Sequence, residues 1–243
     1  MLFFRKKQPT TVDLGWLHTD MHTHLLPGLD DGAPDMESSL NMLRAFVQLG
    51  YKRIISTPHI YWELYPNTPE TISPALAQLQ AAARSEGLEI ELKAAAEYFL
   101  DDHFSAQVKA KAPLLCLSDK LVLVEFSMVL APLDLQDTLF ELQLQGYQPV
   151  LAHPERYTYL LRKKGYFDTL RDAGCLFQLN LLSLTGFYGD ESRQLAEYLL
   201  KNDYYQLAGT DAHHDRQLAL LHKLSSSPLY RELQEREWMN SSL

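Results

Sequence analysis

The feature that most limits how this chain can fold is a repeated alternation. Short runs rich in Ile, Val and Leu are mostly followed by longer stretches with helical periodicity. Strand-type runs fall near residues 17–23, 52–57, 88–97, 120–126, 148–152, 175–180 and 204–210. Between the first two, Met36, Leu40, Leu43 and Val47 recur at helical spacing across 35–49, and Gly50 follows as a C-terminal stop. A second helix is expected over 70–86, with Ile72, Leu76, Leu79 and Ala83 on one face and Gly87 at its end. Further helices are expected at 133–145, 155–172 and 189–202, and a mostly helical tail from 215 onward. Parallel neighbours need a crossover the length of a helix, so the alternation predicts a parallel α/β sheet. Seven βα units without a break in composition favour one barrel domain over residues 17–243, with an open doubly wound sheet as the alternative. Residues 1–16 read as an N-terminal extension outside that barrel.

Composition removes several classes of function. The chain is 46% hydrophobic and 22% charged, an ordinary globular balance that excludes a disordered or low-complexity protein. Its net charge of −9 speaks against a nucleic-acid partner, which would require a basic surface. An anionic substrate would have to be held by metal ions or by a few placed arginines. Cys116 and Cys175 are too few for a disulfide framework and form no CxxC pair. Neither has an arginine six residues later, where Val122 and Leu181 stand, so a cysteine-based phosphatase loop is excluded. No Gly-x-Ser-x-Gly elbow is present either. The longest uncharged window, 173–189, is interrupted by Gln178, Asn180, Ser183 and Thr185 and spans no membrane. Met1–Lys7 is too short for a secretory core, so the expected location is the cytoplasm.

Ligand-type residues gather at one kind of position. His22, His24, His59, His153 and His213 lie at or just past the C-terminal ends of expected strands, as do Glu97, Glu125 and Asp211. Asp31 follows the first strand in the loop 27–32. In a barrel all these ends open on one face, where the side chains would converge. The alternation His22-Thr23-His24 places both imidazoles on one side of a strand. Imidazole and carboxylate together suit zinc, manganese or iron, and the set exceeds the four ligands of a structural zinc site, so two or three divalent ions are expected. Any one of these residues has a plainer alternative, such as a hydrogen-bonded core histidine. The joint placement at six strand ends carries the metal reading. His18, His103, His214 and His222 lack it, and Asp20 is either a support for a ligand or a strand-end residue.

The segment Asp20-Met21-His22-Thr23-His24, with Asp30-Asp31-Gly32 after it, resembles the opening of the PHP (polymerase and histidinol phosphatase) superfamily. More narrowly, the chain is similar to the metal-dependent protein tyrosine phosphatases of bacterial capsule and exopolysaccharide systems, the CpsB/YwqE type. The resemblance continues, in the family's order, through Ser56-Thr57-Pro58-His59, Ala96-Glu97-Tyr98, Val124-Glu125-Phe126-Ser127, His153-Pro154-Glu155-Arg156-Tyr157 and Gly209-Thr210-Asp211-Ala212-His213. It implies a distorted (β/α)7 barrel of the PHP type with its active site at the C-terminal ends of the strands. By the same resemblance His22, His24 and Asp211 bind a first ion, Glu97 bridges it to a second, and Glu125 and His153 complete the second. Asp31, His59 and His213 hold a third. Manganese is the first choice of metal, with iron, zinc or magnesium as alternatives.

Arg156 matches an arginine that the family uses near the phosphate. Arg216 is a second candidate, although it follows His213 at a shorter spacing than in relatives. The implied reaction is hydrolysis of a phosphotyrosine monoester by hydroxide generated through metal coordination, and the implied partner is a tyrosine kinase of polysaccharide export. Two rivals stand beside it: a histidinol-phosphatase-like small-molecule enzyme, and a catalytically silent metal-stabilised binding module. Tyr61, Trp62, Tyr65, Phe187 and Tyr188 surround the expected mouth, either to stack on a substrate ring or to cap the barrel.

Overall fold

A computed structural model describes residues 12–132 and 135–243. In chain order its elements are β1 (Thr19–Asp20), α1 (Met36–Gln48), β2 (Arg53–Ser56), β3 (His59–Ile60), α2 (Pro69–Ser85), β4 (Glu91–Ala94), β5 (Glu97–Phe99) and α3 (Asp102–Lys109). There follow β6 (Leu121–Glu125), α4 (Leu135–Leu144), β7 (Gln148–Ala152), α5 (Gly165–Asp172), β8 (Leu176–Asn180), α6 (Asp190–Lys201), β9 (Leu207–Gly209), α7 (Asp215–Leu220) and α8 (Tyr230–Glu235).

Local chemistry explains where the helices begin and end. Asp35 caps α1 by accepting from the Ser38 amide at 2.8 Å, and Gly50 leaves it at φ +93°. The buried stripe of α1 runs through Leu40, Leu43 and Phe46, while Val47 is turned outward. Thr68 and Thr71 form a reciprocal cap at the start of α2, with Pro69 in the first turn. Asp101 caps α3, a helix the periodicity did not show. The expected helix over 155–172 is only half helix. His153 takes a left-handed conformation before Pro154, short 3-10 turns cover Pro154–Arg156 and Thr158–Leu160, and α5 begins only at Gly165.

Among the described residues these strands pair only in parallel, and they form two sheets, of order β1-β2-β4 and β3-β5-β6-β7-β8-β9. The strand expected at 52–57 is β2, followed by an unexpected short β3, and the strand expected at 88–97 is divided between β4 and the start of β5. Between β2 and β3 stands Pro58, which has no amide proton to offer a ladder, and between β4 and β5 lie Ala95 and Ala96. No single closed sheet joins the described strands. Backbone bonds nevertheless cross between the sheets, from the Asp211 amide to the His22 carbonyl at 2.8 Å and from the His24 amide to the Ala212 carbonyl at 3.0 Å. Within the smaller sheet the Thr57 amide donates to the Thr23 carbonyl at 2.8 Å, which extends the pairing of β1 with β2.

Side chains of the strands divide between two cores. Val122 and Val124 pack into the larger one with the helices, whereas Leu123, between them, joins Met21, Ile55, Ala95, Val150, Ala152 and Leu207 in a smaller one. Glu125 shares the parity of Leu123 and so lies on that inner side at the strand's end. Residues 1–11 of the expected extension lie outside the described residues, as does the start of the helix expected from 133. Val12 and Leu14, at the end of that extension, are buried, and the Leu14 amide donates to the Leu49 carbonyl at 2.7 Å. No helix among the described residues is long and apolar enough to cross a membrane.

Candidate metal centre

The nine ligand-type residues meet in one cluster, most of them at or past the C-terminal ends of strands, with His59 and Glu97 opening the short strands β3 and β5 and Asp31 on a loop. Glu97, fully buried at the start of β5, is the hub. Its Oε2 lies 3.2 Å from His22 Nε2, 3.4 Å from His24 Nε2 and 3.1 Å from His59 Nδ1. Its Oε1 lies 3.1 Å from His153 Nε2. Asp211 Oδ1 closes the first group at 3.4 Å from both His22 and His24. Glu125 lies 3.1 Å from His59 and 3.7 Å from His153. Nearer the mouth, Asp31 Oδ1 stands 3.5 Å from His59 Nε2 and 3.4 Å from His213 Nε2.

Three sets of atoms fit a cation by mutual proximity: His22, His24, Glu97 and Asp211; His59, Glu97 and Glu125; and His24, Asp31, His59 and His213. His59 belongs to two of these sets, whereas the resemblance gives it to the Asp31 set alone. The test of fit lies in the unmet polar atoms. Glu97 Oε2 and His59 Nδ1 are buried without a hydrogen bond although they stand 3.1 Å apart, so they are close but not aimed at one another. Among the described residues His22 Nε2 and His24 Nε2 have only each other as a hydrogen-bond partner, at 3.4 Å, with the carboxylates of Glu97 and Asp211 at 3.2–3.4 Å around them. A buried cluster left so is costly, and a cation resolves it.

A surrounding set of bonds orients these ligands. His22 donates from Nδ1 to Gln178 Oε1 at 3.0 Å, His24 to Asp30 Oδ2 at 2.7 Å, and His213 to the Asp211 carbonyl at 3.0 Å. Each donation leaves the Nε2 lone pair turned into the cluster. Asp211 divides its oxygens. Oδ1 faces the histidines, while Oδ2 accepts from Arg156 at 2.8 Å and Asn180 at 2.9 Å. Asp20 accepts from the amide and hydroxyl of Thr210, tying down the residue before Asp211. Two ligand positions carry backbone strain. His153 at φ +34° and Asp211 at φ +49° are left-handed, a conformation that costs about 1–2 kcal/mol outside glycine and here folds each strand end back toward the cluster.

The electrostatics express the same tension. Burial pushes the His22 and His24 pKa values down, yet the neighbouring carboxylates outweigh it and raise both. Burial and the charge of His24 also oppose the protonation of His59, but Glu97 and Glu125 prevail and lift its pKa to about 9. Burial would raise the Glu97 and Asp211 carboxyls, and the imidazoles hold both well below the usual range. Without a cation the cluster therefore holds protons, which an incoming ion must displace.

A cleft of about 500 Å³ opens over the centre, lined by Asp31, His59, Glu125, Asp211 and His213 at its floor and by Tyr61, Tyr65, Phe99, Phe126, Met128 and Tyr188 along its walls. Arg156 reaches into it with its guanidinium 4.4 Å above the Tyr188 ring. Arg216 does not. It is exposed on α7 and lines a neighbouring surface pocket, because the helix turns Gln217 to the cleft instead. Gln217 Oε1 accepts from the His213 and His214 amides at 2.6 and 3.0 Å, and His214 lines the cleft beside it. Of the expected mouth aromatics, Tyr61, Tyr65 and Tyr188 line the cleft, while Trp62 and Phe187 are exposed outside it.

Sequence reasoning missed Asp30, Gln178 and Asn180 as supports. A signal was present for the last two: polar residues two apart in an otherwise apolar strand share one face. Gly32 is a further support. A Cβ there would overlap the carbonyl oxygen and Cβ of His24. Gly32→Ala is expected to cost about 1–3 kcal/mol in denaturant unfolding and to lower metal content, since the clash displaces a ligand. Unchanged values of both would refute that role.

The fold and the cluster together define a class: a parallel α/β protein with a candidate multi-metal centre at the ends of its strands. Within that class the chain belongs to the family described as capsular polysaccharide synthesis, CpsB/CapC, whose model matches residues 18–228. It is 32% identical over 195 residues to the tyrosine-protein phosphatase YwqE of Bacillus subtilis (strain 168), covering 80% of this chain and 76% of that protein. It is also similar to a chain from the crystal structures of YwqE from Bacillus subtilis and CpsB from Streptococcus pneumoniae, which are metal-dependent tyrosine phosphatases. That match has a TM-score of 0.76 and 30% identity over 89% of this chain and 91% of the other. A histidinol phosphate phosphatase from Lactococcus lactis shares the fold, with a TM-score of 0.56 and 16% identity over 94% of this chain and 95% of that one.

Proposed function

We propose that this protein is a metal-dependent tyrosine phosphatase that hydrolyses phosphotyrosine monoesters in a protein substrate, which we take to be a cytoplasmic tyrosine kinase domain of polysaccharide export. The observation that carries the reading is the ligand cluster gathered around Glu97 beneath one aromatic-walled cleft that Arg156 also lines. In this reading His22, His24, Glu97 and Asp211 hold a first ion, Glu97, Glu125 and His153 a second, and Asp31, His59 and His213 a third. We take manganese as the resident metal. The cross-sheet bonds at His22 and His24 support treating the two sheets as segments of one distorted barrel.

Divalent ions in such a site supply positive charge against the phosphoryl dianion and lower the pKa of water. The protein's own groups do the rest. Arg156 is fixed by Asp211 and Tyr188, and its guanidinium has donors to spare for phosphoryl oxygens. Tyr61 stacks on Phe99 at 4.1 Å, and with Tyr65 this pair walls the cleft on the side where an aryl ring would lie. A phenolate leaving group, with a solution pKa near 10, needs less protonation than an alkoxide. That difference favours aryl over alkyl phosphates. Neither cysteine takes part: both lie outside the cleft, and burial pushes the Cys175 thiol up to about 12.

The test is turnover of a phosphotyrosyl peptide beside histidinol phosphate. Peptide hydrolysis is expected to vanish with a chelator, return with Mn²⁺ and survive Cys175→Ser unchanged. Continued turnover in exhaustive chelator, or preference for histidinol phosphate, would reject the reading.

A further inference from the structure

Three loops that wall the cleft share one arrangement. After β3, Tyr61 and Tyr65 face the cleft while Trp62 and Leu64 between them are exposed, Leu64 by 62%. After β6, Phe126 and Met128 face the cleft while the next residues, Val129 and Leu130, are 81% and 66% exposed. After β8, Tyr188 faces the cleft and Phe187 is exposed. Nine large apolar side chains are exposed among the described residues, and five of them are on these loops. Chance would scatter them; concentration around one opening marks an interaction surface.

The rim is also held in place. Tyr61 and Tyr65 exchange backbone bonds of 3.1 and 2.6 Å, which makes their loop a tight turn. Trp62 lies flat on His103 at 3.9 Å, and its amide donates to Asp101 Oδ2 at 3.2 Å. The Tyr159 hydroxyl donates to the Ser127 carbonyl at 3.2 Å, anchoring the second loop where it leaves the cleft. An ordered apolar surface costs little conformational entropy on binding.

We propose that Trp62, Leu64, Val129, Leu130 and Phe187 form a docking rim for apolar residues that flank the phosphotyrosine of a protein substrate. The inference rests on the tyrosine phosphatase reading and adds the sequence preference of the same site. Continuity identifies the occupant: a chain whose phosphotyrosine enters the cleft must pass its neighbouring residues over these loops. Charge argues against a lipid surface. The stretches 61–65, 127–132 and 186–189 contain no Lys or Arg, and their one charged residue is Glu63, whereas binding to anionic lipid relies on basic side chains.

The experiment uses the full chain supplied with Mn²⁺ and three substrates: 4-nitrophenyl phosphate and two phosphotyrosyl peptides, one flanked by Leu, Val and Phe, the other by Ser and Gly. The apolar peptide is expected to have a kcat/KM about tenfold higher, mostly through KM, the order that burial of one or two apolar side chains supplies. A Leu64→Ser, Val129→Ser, Leu130→Ser variant is expected to bring the two peptides to parity and leave 4-nitrophenyl phosphate turnover unchanged. Equal turnover of both peptides by the unsubstituted protein overturns the rim while leaving the phosphatase reading intact. No turnover of any of the three substrates overturns the phosphatase reading itself. Rim-dependent binding to phosphatidylglycerol vesicles, or a rim-dependent dimer in sedimentation, without a peptide preference, assigns the surface elsewhere and also overturns the proposal.

Discussion

Glu97→Gln is expected to abolish metal retention and to lower phosphatase turnover by at least about 1,000-fold, which corresponds to about 4 kcal/mol of lost transition-state stabilisation. The substitution preserves shape and changes only charge and one atom, so its effect isolates what the carboxylate does. In the present arrangement two oxygens of one buried side chain face His22, His24, His59 and His153 at 3.1–3.4 Å. An amide keeps at most one acceptor there and turns an NH2 donor toward imidazole nitrogens, so it would neither hold cations as a carboxylate does nor balance their charge. Elemental analysis of the purified variant, beside steady-state assays in Mn²⁺, measures both effects. Circular dichroism separates them from misfolding. Near-normal turnover with near-normal metal content would show that Glu97 is not the hub of the site, and the multi-ion reading would fail with it.

Why so much of this site was legible in the sequence follows from its construction. Ligands carried at strand ends leave a trace that pattern reading can follow: a short apolar run, then His, Asp or Glu, then a helical stretch. That trace located His22, Glu125, His153 and Asp211 at or just past strand ends, and His59 and Glu97 at the breaks where the short strands β3 and β5 begin. The supports left weaker traces. Asp30 does its work through a bond to His24 at 2.7 Å across a loop, and a loop has no periodicity to announce which of two adjacent aspartates turns inward. Gln178 bridges His22 and the His153 amide, a relation set by the neighbouring strands and not by spacing along its own.

The failures have local causes as well. The helix expected over 155–172 begins instead with His153 in a left-handed turn, which helical periodicity in the residues beyond cannot foresee. Arg216 was matched to a late arginine of the family in spite of its shorter spacing from His213. On a helix, one residue is a rotation of about 100°, and that rotation gives the cleft Gln217. The closed or nearly closed barrel was argued from seven βα units, and its parallel α/β character is what the strand pairing shows. The strands pair as two sheets, and the change from one to the other comes after Pro58 and at the Ala95-Ala96 step.

Arg156→Lys is expected to lower kcat/KM for a phosphotyrosyl peptide by about 100-fold, or about 2.7 kcal/mol, while leaving metal content unchanged. Lysine keeps the positive charge, so the loss reports geometry. The guanidinium does three things at once: it lies 4.4 Å over the Tyr188 ring, donates through Nη1 to Asp211 at 2.8 Å, and lines the cleft. Burial opposes its charge, yet Asp211 more than compensates and keeps it protonated at any pH of interest. A planar fork can meet a carboxylate on one edge and an anion on another; a lysine ammonium has no fixed fork and no stacking face. The contrast with Glu97→Gln is diagnostic, because one variant loses the metal and the other retains it. Inhibition by inorganic phosphate should weaken in parallel with catalysis, since both depend on the same donors. If Arg156→Lys instead sheds metal in step with activity, the arginine serves to hold Asp211 in place. If neither turnover nor phosphate inhibition moves, the anion is held by other groups, and the assignment of Arg156 to the phosphoryl oxygens is wrong.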